Sequence, residues 1–223
     1  MGGTERLFNS WDELEEAIKS CTKCPLHKSR KNAVPGEGPK DAKVMLIGEA
    51  PGATEDELGR PFVGAAGRLL TMVLESVGLP RSTVYITNVV KCRPPGNREP
   101  REEEIEACSP YLESQIALLK PRVIVTLGNV AGKWVFTKGG LRWGGVTKMR
   151  GRVYKVRMLG MEITVVPTIH PAAALYNPSM RNALVEDLKL VKELAESEQR
   201  TLASESSVAP RGPRTLFDYL KKG

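Results

Sequence analysis

Four short apolar runs pace the chain. Residues 44–47 (Val-Met-Leu-Ile), 84–90, 123–127 and 163–169 are nearly continuous in aliphatic and β-branched residues rather than alternating, which is how strands buried on both faces read. Around them, apolar residues recur at helical spacing. Ser10 and Glu13 form a capping box that opens a helix to about Ser20, with Leu14, Ala17 and Ile18 on one face. Leu69, Leu70, Val73, Leu74 and Val77 mark a helix over residues 64–77, closed by Leu79-Pro80. Residues 102–119 read as a helix interrupted by Pro110, and a short helix ends near Phe136. Leu184, Leu188, Val191 and Leu194 mark a last helix over residues 179–195. Strand, helix, strand, helix, strand argues for an α/β fold with a mostly parallel central sheet.

Between residues 138 and 161 the pattern changes. Lys138, Arg142, Lys148, Arg150, Arg152, Lys155 and Arg157 occur with no acid among them, punctuated by glycines, and predict loops and a basic hairpin. Residues 197–212, rich in Ser, Ala, Gly and Pro, read as a flexible linker to a short terminal island at 213–223. The length of 223 residues suits one domain, 1–196, plus this tail. The formal charge is +7, and residues 1–196 keep +5 of it with 28 basic and 23 acidic residues. A polyanionic partner fits that excess, as does a merely solvated basic surface. Neither a membrane-length apolar run nor a signal-peptide core is present, so a cytoplasmic, soluble, monomeric protein is expected.

All four cysteines fall into two pairs, Cys21-x2-Cys24 and Cys92-x15-Cys108. In an intracellular chain this argues against disulfides and for one shared site holding zinc or iron and sulfur. Spacing leaves both open.

The ends of three strands carry residues capable of chemistry. The first run delivers Gly48-Glu49-Ala50-Pro51-Gly52, with Glu55 and Asp56 close behind; the second passes Asn88; the fourth delivers His170-Pro171. In open α/β sheets ligands bind at such ends. Asn88 offers a donor and an acceptor for an amide-like ring edge, and Phe62 offers a stacking face, although it fits a core position equally well. His170, one of two histidines, would stabilise a departing anion. These parts suit cleavage of a bond to a nucleobase.

Taken together, Gly48-Glu49-Ala50-Pro51-Gly52, Gly59-Arg60-Pro61-Phe62-Val63-Gly64, Thr87-Asn88-Val89-Val90-Lys91-Cys92-Arg93-Pro94-Pro95, His170-Pro171-Ala172 and the cysteine spacing resemble the family 4 uracil-DNA glycosylases, the thermostable iron-sulfur branch, over residues 10–196. The resemblance implies a three-layer α/β/α fold and hydrolysis of the N-glycosidic bond of deoxyuridine in single- or double-stranded DNA. It implies a [4Fe-4S] cluster on Cys21, Cys24, Cys92 and Cys108, with zinc the alternative occupant. Phe62 would stack on the extruded base beside Gly48 and Ala50, Asn88 would bond its polar edge, and His170 would stabilise the O2 anion. Glu49 and Glu55 would act electrostatically. Leu175 would fill the emptied stack, although it fits plain core as well, with Arg93, Arg98 and the basic hairpin on phosphates.

The tail segment with Leu216, Tyr219 and Leu220 resembles a sliding-clamp binding peptide. Two other classes remain in view: a non-catalytic DNA-binding or polymerase-associated iron-sulfur module, and a four-cysteine electron carrier.

Overall fold

A computed structural model describes the backbone of residues 7–206 and the side chains of residues 7–197. The expected tail positions Leu216, Tyr219 and Leu220 lie outside the described residues. Helix α1 (Trp11–Lys19) starts where the Ser10 hydroxyl accepts the Glu13 N–H at 3.3 Å. Strand β1 (Val44–Gly48) leads into α2 (Ala53–Leu58) and α3 (Ala65–Ser76), and β2 (Tyr85–Asn88) into α4 (Glu102–Leu119). Then come β3 (Val123–Leu127), α5 (Asn129–Lys138), α6 (Val146–Met149), β4 (Tyr154–Met158), β5 (Met161–Thr168) and α7 (Pro178–Ser206).

The strands form one sheet in the order β2-β1-β3-β5-β4. All neighbours are parallel except β4, which runs antiparallel to β5. Because successive side chains on a strand point to opposite faces, Met45 and Ile47 pack with α1, α4 and α5 on one side, while Val44 and Leu46 pack with α3 and α7 on the other. Every residue of β1 and β3 is buried, as the continuous apolar runs required. The three-layer α/β/α arrangement follows. From β1 the chain moves outward to β2, then returns past β1 to β3, so the winding reverses at β1 and the carboxyl ends there splay around a crevice.

Several boundaries differ from expectation. Strand β2 ends at Asn88, not at Val90, because the N–H groups of Val89 and Val90 turn onto the carbonyls of Gly48 and Glu49. Helix α4 runs through Pro110 without interruption; Tyr111, Leu112, Ile116 and Leu119 beyond it are buried against the sheet and hold the helix past the lost N–H. The segment after Gly52 forms α2. The basic stretch contains α6 before the hairpin, and Leu159 and Gly160, both at positive φ, turn β4 into β5. Helix α7 continues to Ser206 through residues assigned to the linker, since glycine and proline are absent from 196 to 206 and helix formers predominate.

Asp187 on α7 is 3% exposed and is held by Arg150 at 2.8 and 3.0 Å and by the Thr168 hydroxyl at 2.6 Å. Arg150→Met leaves that carboxylate buried with one neutral donor. We expect a loss of about 3 kcal/mol, the low end for a broken buried pair because Arg150 is partly solvated, measurable by denaturant unfolding; an unchanged midpoint would refute the pairing.

Candidate active site

A cleft of about 410 Å³ opens at the carboxyl ends of β1 and β2, and Glu49, Ala50, Glu55, Phe62, Asn88 and His170 all line it. Gly48 lies beneath, paired across the sheet with Asn88. A Cβ on Gly48 would overlap both Asn88 Oδ1 and the Phe62 ring, so the bare Cα is what lets the amide and the ring meet above the strand end.

Phe62 is held in a conformation that an unbraced loop would leave. Its φ is +50°, in the left-handed region that disfavours side chains by about 1–2 kcal/mol. Three features hold it there. Arg81 donates to the carbonyls of Phe62 at 3.0 Å and Pro61 at 2.5 Å. Gly67 of α3 packs directly on the Phe62 backbone, where a Cβ would overlap its carbonyl group. Glu55 accepts the N–H groups of Val63 at 2.9 Å and Gly64 at 2.7 Å through Oε1. Glu55 is thereby a brace of the Phe62 loop and the start of α3. Arg81 and Gly67 carry no motif signal, because their roles come from packing against Phe62.

His170 ends the segment after β5 and begins a 3₁₀ turn (Pro171–Ala174). Its Nδ1 accepts the Ala172 N–H at 3.2 Å. An accepting Nδ1 carries no proton, so the neutral ring bears its hydrogen on Nε2. Burial lowers the His170 pKa from the usual histidine value, favouring that neutral form, with Glu55 a weaker opposing influence. The Phe62 and His170 rings stand 5.8 Å apart, tilted by 36°. Gly128, at φ +91°, admits the close approach of His170 to the end of β3.

Asn88 is 1% exposed, and its Oδ1 has no hydrogen-bond partner. A buried acceptor without a donor is unfavourable by about 1–3 kcal/mol; this one lies against Gly48 on a residue that lines the cleft. The half-buried Glu49 carboxylate bonds to no described residue; burial, then the charge of Glu99, raises its pKa.

The rim residues are placed differently from one another. Arg93 donates to Asn97 at 2.7 Å, and Arg98 makes a two-pronged pair at 2.7 and 2.8 Å with Glu104, which is fully buried. Arg98 therefore anchors the start of α4 while lining the cleft. Leu175 is half-buried against the α3–α7 core, whereas Tyr176, which sequence reasoning passed over, is 94% exposed.

Away from the cleft, Cys21, Cys24, Cys92 and Cys108 line one small hollow. Arg30 donates to Cys92 Sγ at 3.1 Å, and backbone N–H groups reach Cys108 Sγ from Lys91 at 3.3 Å and Cys21 Sγ from Lys23 at 3.5 Å. Four thiols at one hollow, three of them with N–H groups directed at the sulfur, are compatible with a thiolate-bound metal group, since such donors stabilise sulfur-centred negative charge; no preformed cluster of three or more metal-ligating side chains is found among the described residues. Burial raises the pKa of Cys24 and Cys92 and pushes that of Cys108 up to about 12, so metal binding there must displace protons.

Residues 35–190 match the model of the uracil DNA glycosylase superfamily. The chain is 54% identical over 194 residues to a type-4 uracil-DNA glycosylase of Sulfurisphaera tokodaii, covering 86% of this chain and 88% of that protein. It is 47% identical over 213 residues to that of Archaeoglobus fulgidus, covering 96% and 100%. To that of Thermotoga maritima it is 45% identical over 187 residues, covering 83% and 94%.

Gly48→Ala forces the Phe62 ring or the Asn88 amide to move. We expect destabilisation of about 1–3 kcal/mol, as for an overpacked core position, read by thermal or denaturant unfolding; wild-type stability would contradict the close approach.

Proposed function

The chain belongs to the uracil DNA glycosylase superfamily, and from that premise we propose that it is a uracil-DNA glycosylase. It extrudes deoxyuridine from DNA, hydrolyses the N-glycosidic bond and leaves an abasic site, as base excision repair of deaminated cytosine requires. The observation that carries this reading is the unpartnered Oδ1 of Asn88, a residue that lines the same cleft as an imidazole whose Nδ1 is already engaged.

Uracil presents N3–H as a donor next to O4 as an acceptor. The Asn88 amide supplies the complementary acceptor and donor. Cytosine presents the reverse pattern at these positions, so it would leave Asn88 Oδ1 unpaired in the same orientation. Phe62 packs against the base. Extrusion itself is unfavourable by a few kcal/mol, least for the mispaired uracil that deamination leaves opposite guanine.

As the bond from C1′ to N1 breaks, negative charge collects on uracil and the sugar becomes oxocarbenium-like. The His170 Nε2–H donates to the O2 anion, a contact that strengthens as charge develops. Water then adds to C1′. Glu55 has one oxygen occupied by two backbone donors, which leaves Glu49 as the carboxylate to stabilise the cationic sugar and orient the water. The water proton passes to Glu49 or solvent, and the uracil anion is protonated on release.

Tyr176 takes the emptied place in the stack in preference to Leu175, because Leu175 would have to leave its packing against the core. Cys21, Cys24, Cys92 and Cys108 would hold a [4Fe-4S] cluster, which would supply metal–sulfur bonds tying the segment after α1 to the β2–α4 connection.

Incubation with a uracil-containing oligonucleotide followed by alkali should give a strand break at uracil and none at cytosine; absence of the break would refute the enzyme reading in favour of a non-catalytic DNA-binding module or an electron carrier. His170→Ala should lower the single-turnover rate by about 100-fold or more, as for loss of an oxyanion donor, with DNA affinity retained. Equal loss of both would assign His170 a structural role. Tyr176→Ala should raise KM for double-stranded substrate by about 10-fold, within the range of one base–aromatic stack, while Leu175→Ala should lower thermal stability instead; the reverse outcome would return the wedge to Leu175.

A further inference from the structure

Lys91 is 1% exposed, an extreme position for a lysine. No carboxylate pairs with its ammonium group among the described residues. Instead, Nζ donates to three neutral acceptors: the Asn88 carbonyl at 2.6 Å, Thr87 Oγ1 at 2.7 Å and Gln115 Oε1 at 2.7 Å. These use all three of its donors. The acceptors are themselves fixed, since Thr87 Oγ1 and Gln115 Nε2 both donate to the Pro35 carbonyl at 2.8 and 2.7 Å, and Gln115 Nε2 also reaches Tyr85 Oη at 3.1 Å. The Lys91 backbone faces the other way. Its N–H donates to Cys108 Sγ at 3.3 Å, its carbonyl accepts the Val34 N–H at 2.7 Å, and Cys92 follows directly.

We propose that Lys91 is a positioning residue that joins the four-cysteine site to the uracil-reading end of β2. Its main chain is clamped by a sulfur of the cysteine site, and its side chain reaches back three residues to hold the carbonyl of Asn88. The Val89 and Val90 N–H groups bind the Gly48 and Glu49 carbonyls at 2.9 and 3.1 Å, so residues 88–91 close into a braced turn whose inner bond is Lys91 Nζ to Asn88 O. That bond sets the direction in which the Asn88 amide leaves the strand. The cysteine site thus acts on base recognition through structure. This inference rests on the glycosylase reading above.

The test uses the cluster-loaded full chain of the wild type and Lys91→Met, which keeps the apolar stem and deletes the ammonium group. Three readouts are compared: iron content with visible absorption, inhibition of excision by free uracil, and kcat/KM on uracil-containing DNA beside affinity for uracil-free DNA. The inference predicts unchanged iron and absorption per chain. It also predicts a fall of about 10- to 100-fold in kcat/KM, the usual range for removing an outer hydrogen-bond partner of a functional group, matched by weaker uracil inhibition, with uracil-free DNA bound as before. Wild-type kcat/KM and uracil inhibition in Lys91→Met would overturn it. If that variant does not fold, Thr87→Val decides: weaker uracil inhibition with an intact spectrum supports the link, and wild-type inhibition overturns it. Excision by the wild type, measured alongside, separates failure of this inference from failure of the glycosylase reading.

Discussion

A single missing side chain governs the site. At Gly48 the strand ends on a bare Cα, and the space where a Cβ would stand is filled from one side by the Asn88 amide and from the other by the Phe62 ring. Everything nearby is arranged to keep them there. Asn88 sits in register with Gly48 across β2, Phe62 is forced to positive φ by Arg81, Gly67 and Glu55, and His170 is brought in beside Gly128. Strain at Phe62 and an orphaned acceptor at Asn88 are both unfavourable in the free protein. They persist because buried packing over-determines them, and in the proposed reading a bound base would supply the donor that the acceptor lacks.

The two polar centres divide the work by their environments. Burial lowers the His170 pKa, favouring the neutral ring, and the Ala172 N–H selects the tautomer with its hydrogen on Nε2, the form that the proposed role as a hydrogen-bond donor uses. Glu49 and Glu55 look alike in sequence, yet the fold separates them. Glu55 braces two backbone amides, while Glu49 bonds to no described residue and faces the cleft. Hydrogen bonding thus distinguishes two acids that the sequence does not, and it favours the carboxylate after the strand for the role proposed above.

Much of this was legible before any coordinates. The continuous apolar runs announced strands buried on both faces, and the residues at or after their ends, Glu49, Asn88 and His170, converge because parallel strands bring their carboxyl ends to one edge. What the sequence hid depends on long-range packing. Arg81 and Gly67 act only through Phe62, Lys91 looks like one more basic residue before a cysteine, and nothing local distinguishes the half-buried Leu175 from the exposed Tyr176. Pro110 misled in the opposite direction, since a strong local breaker was overridden by the buried face of α4. Arg98 read as a phosphate ligand, yet much of its guanidinium is committed to the buried Glu104.

The central claim is that the Asn88 oxygen waits for the N3–H of uracil. Inhibition of excision by free uracil and by 3-methyluracil tests it most directly, because the two differ only at N3, where a methyl group replaces the hydrogen. The account predicts that uracil inhibits and that 3-methyluracil does so at least about 10-fold more weakly, the equivalent of one lost hydrogen bond to a buried acceptor. Equal inhibition by the two would contradict it.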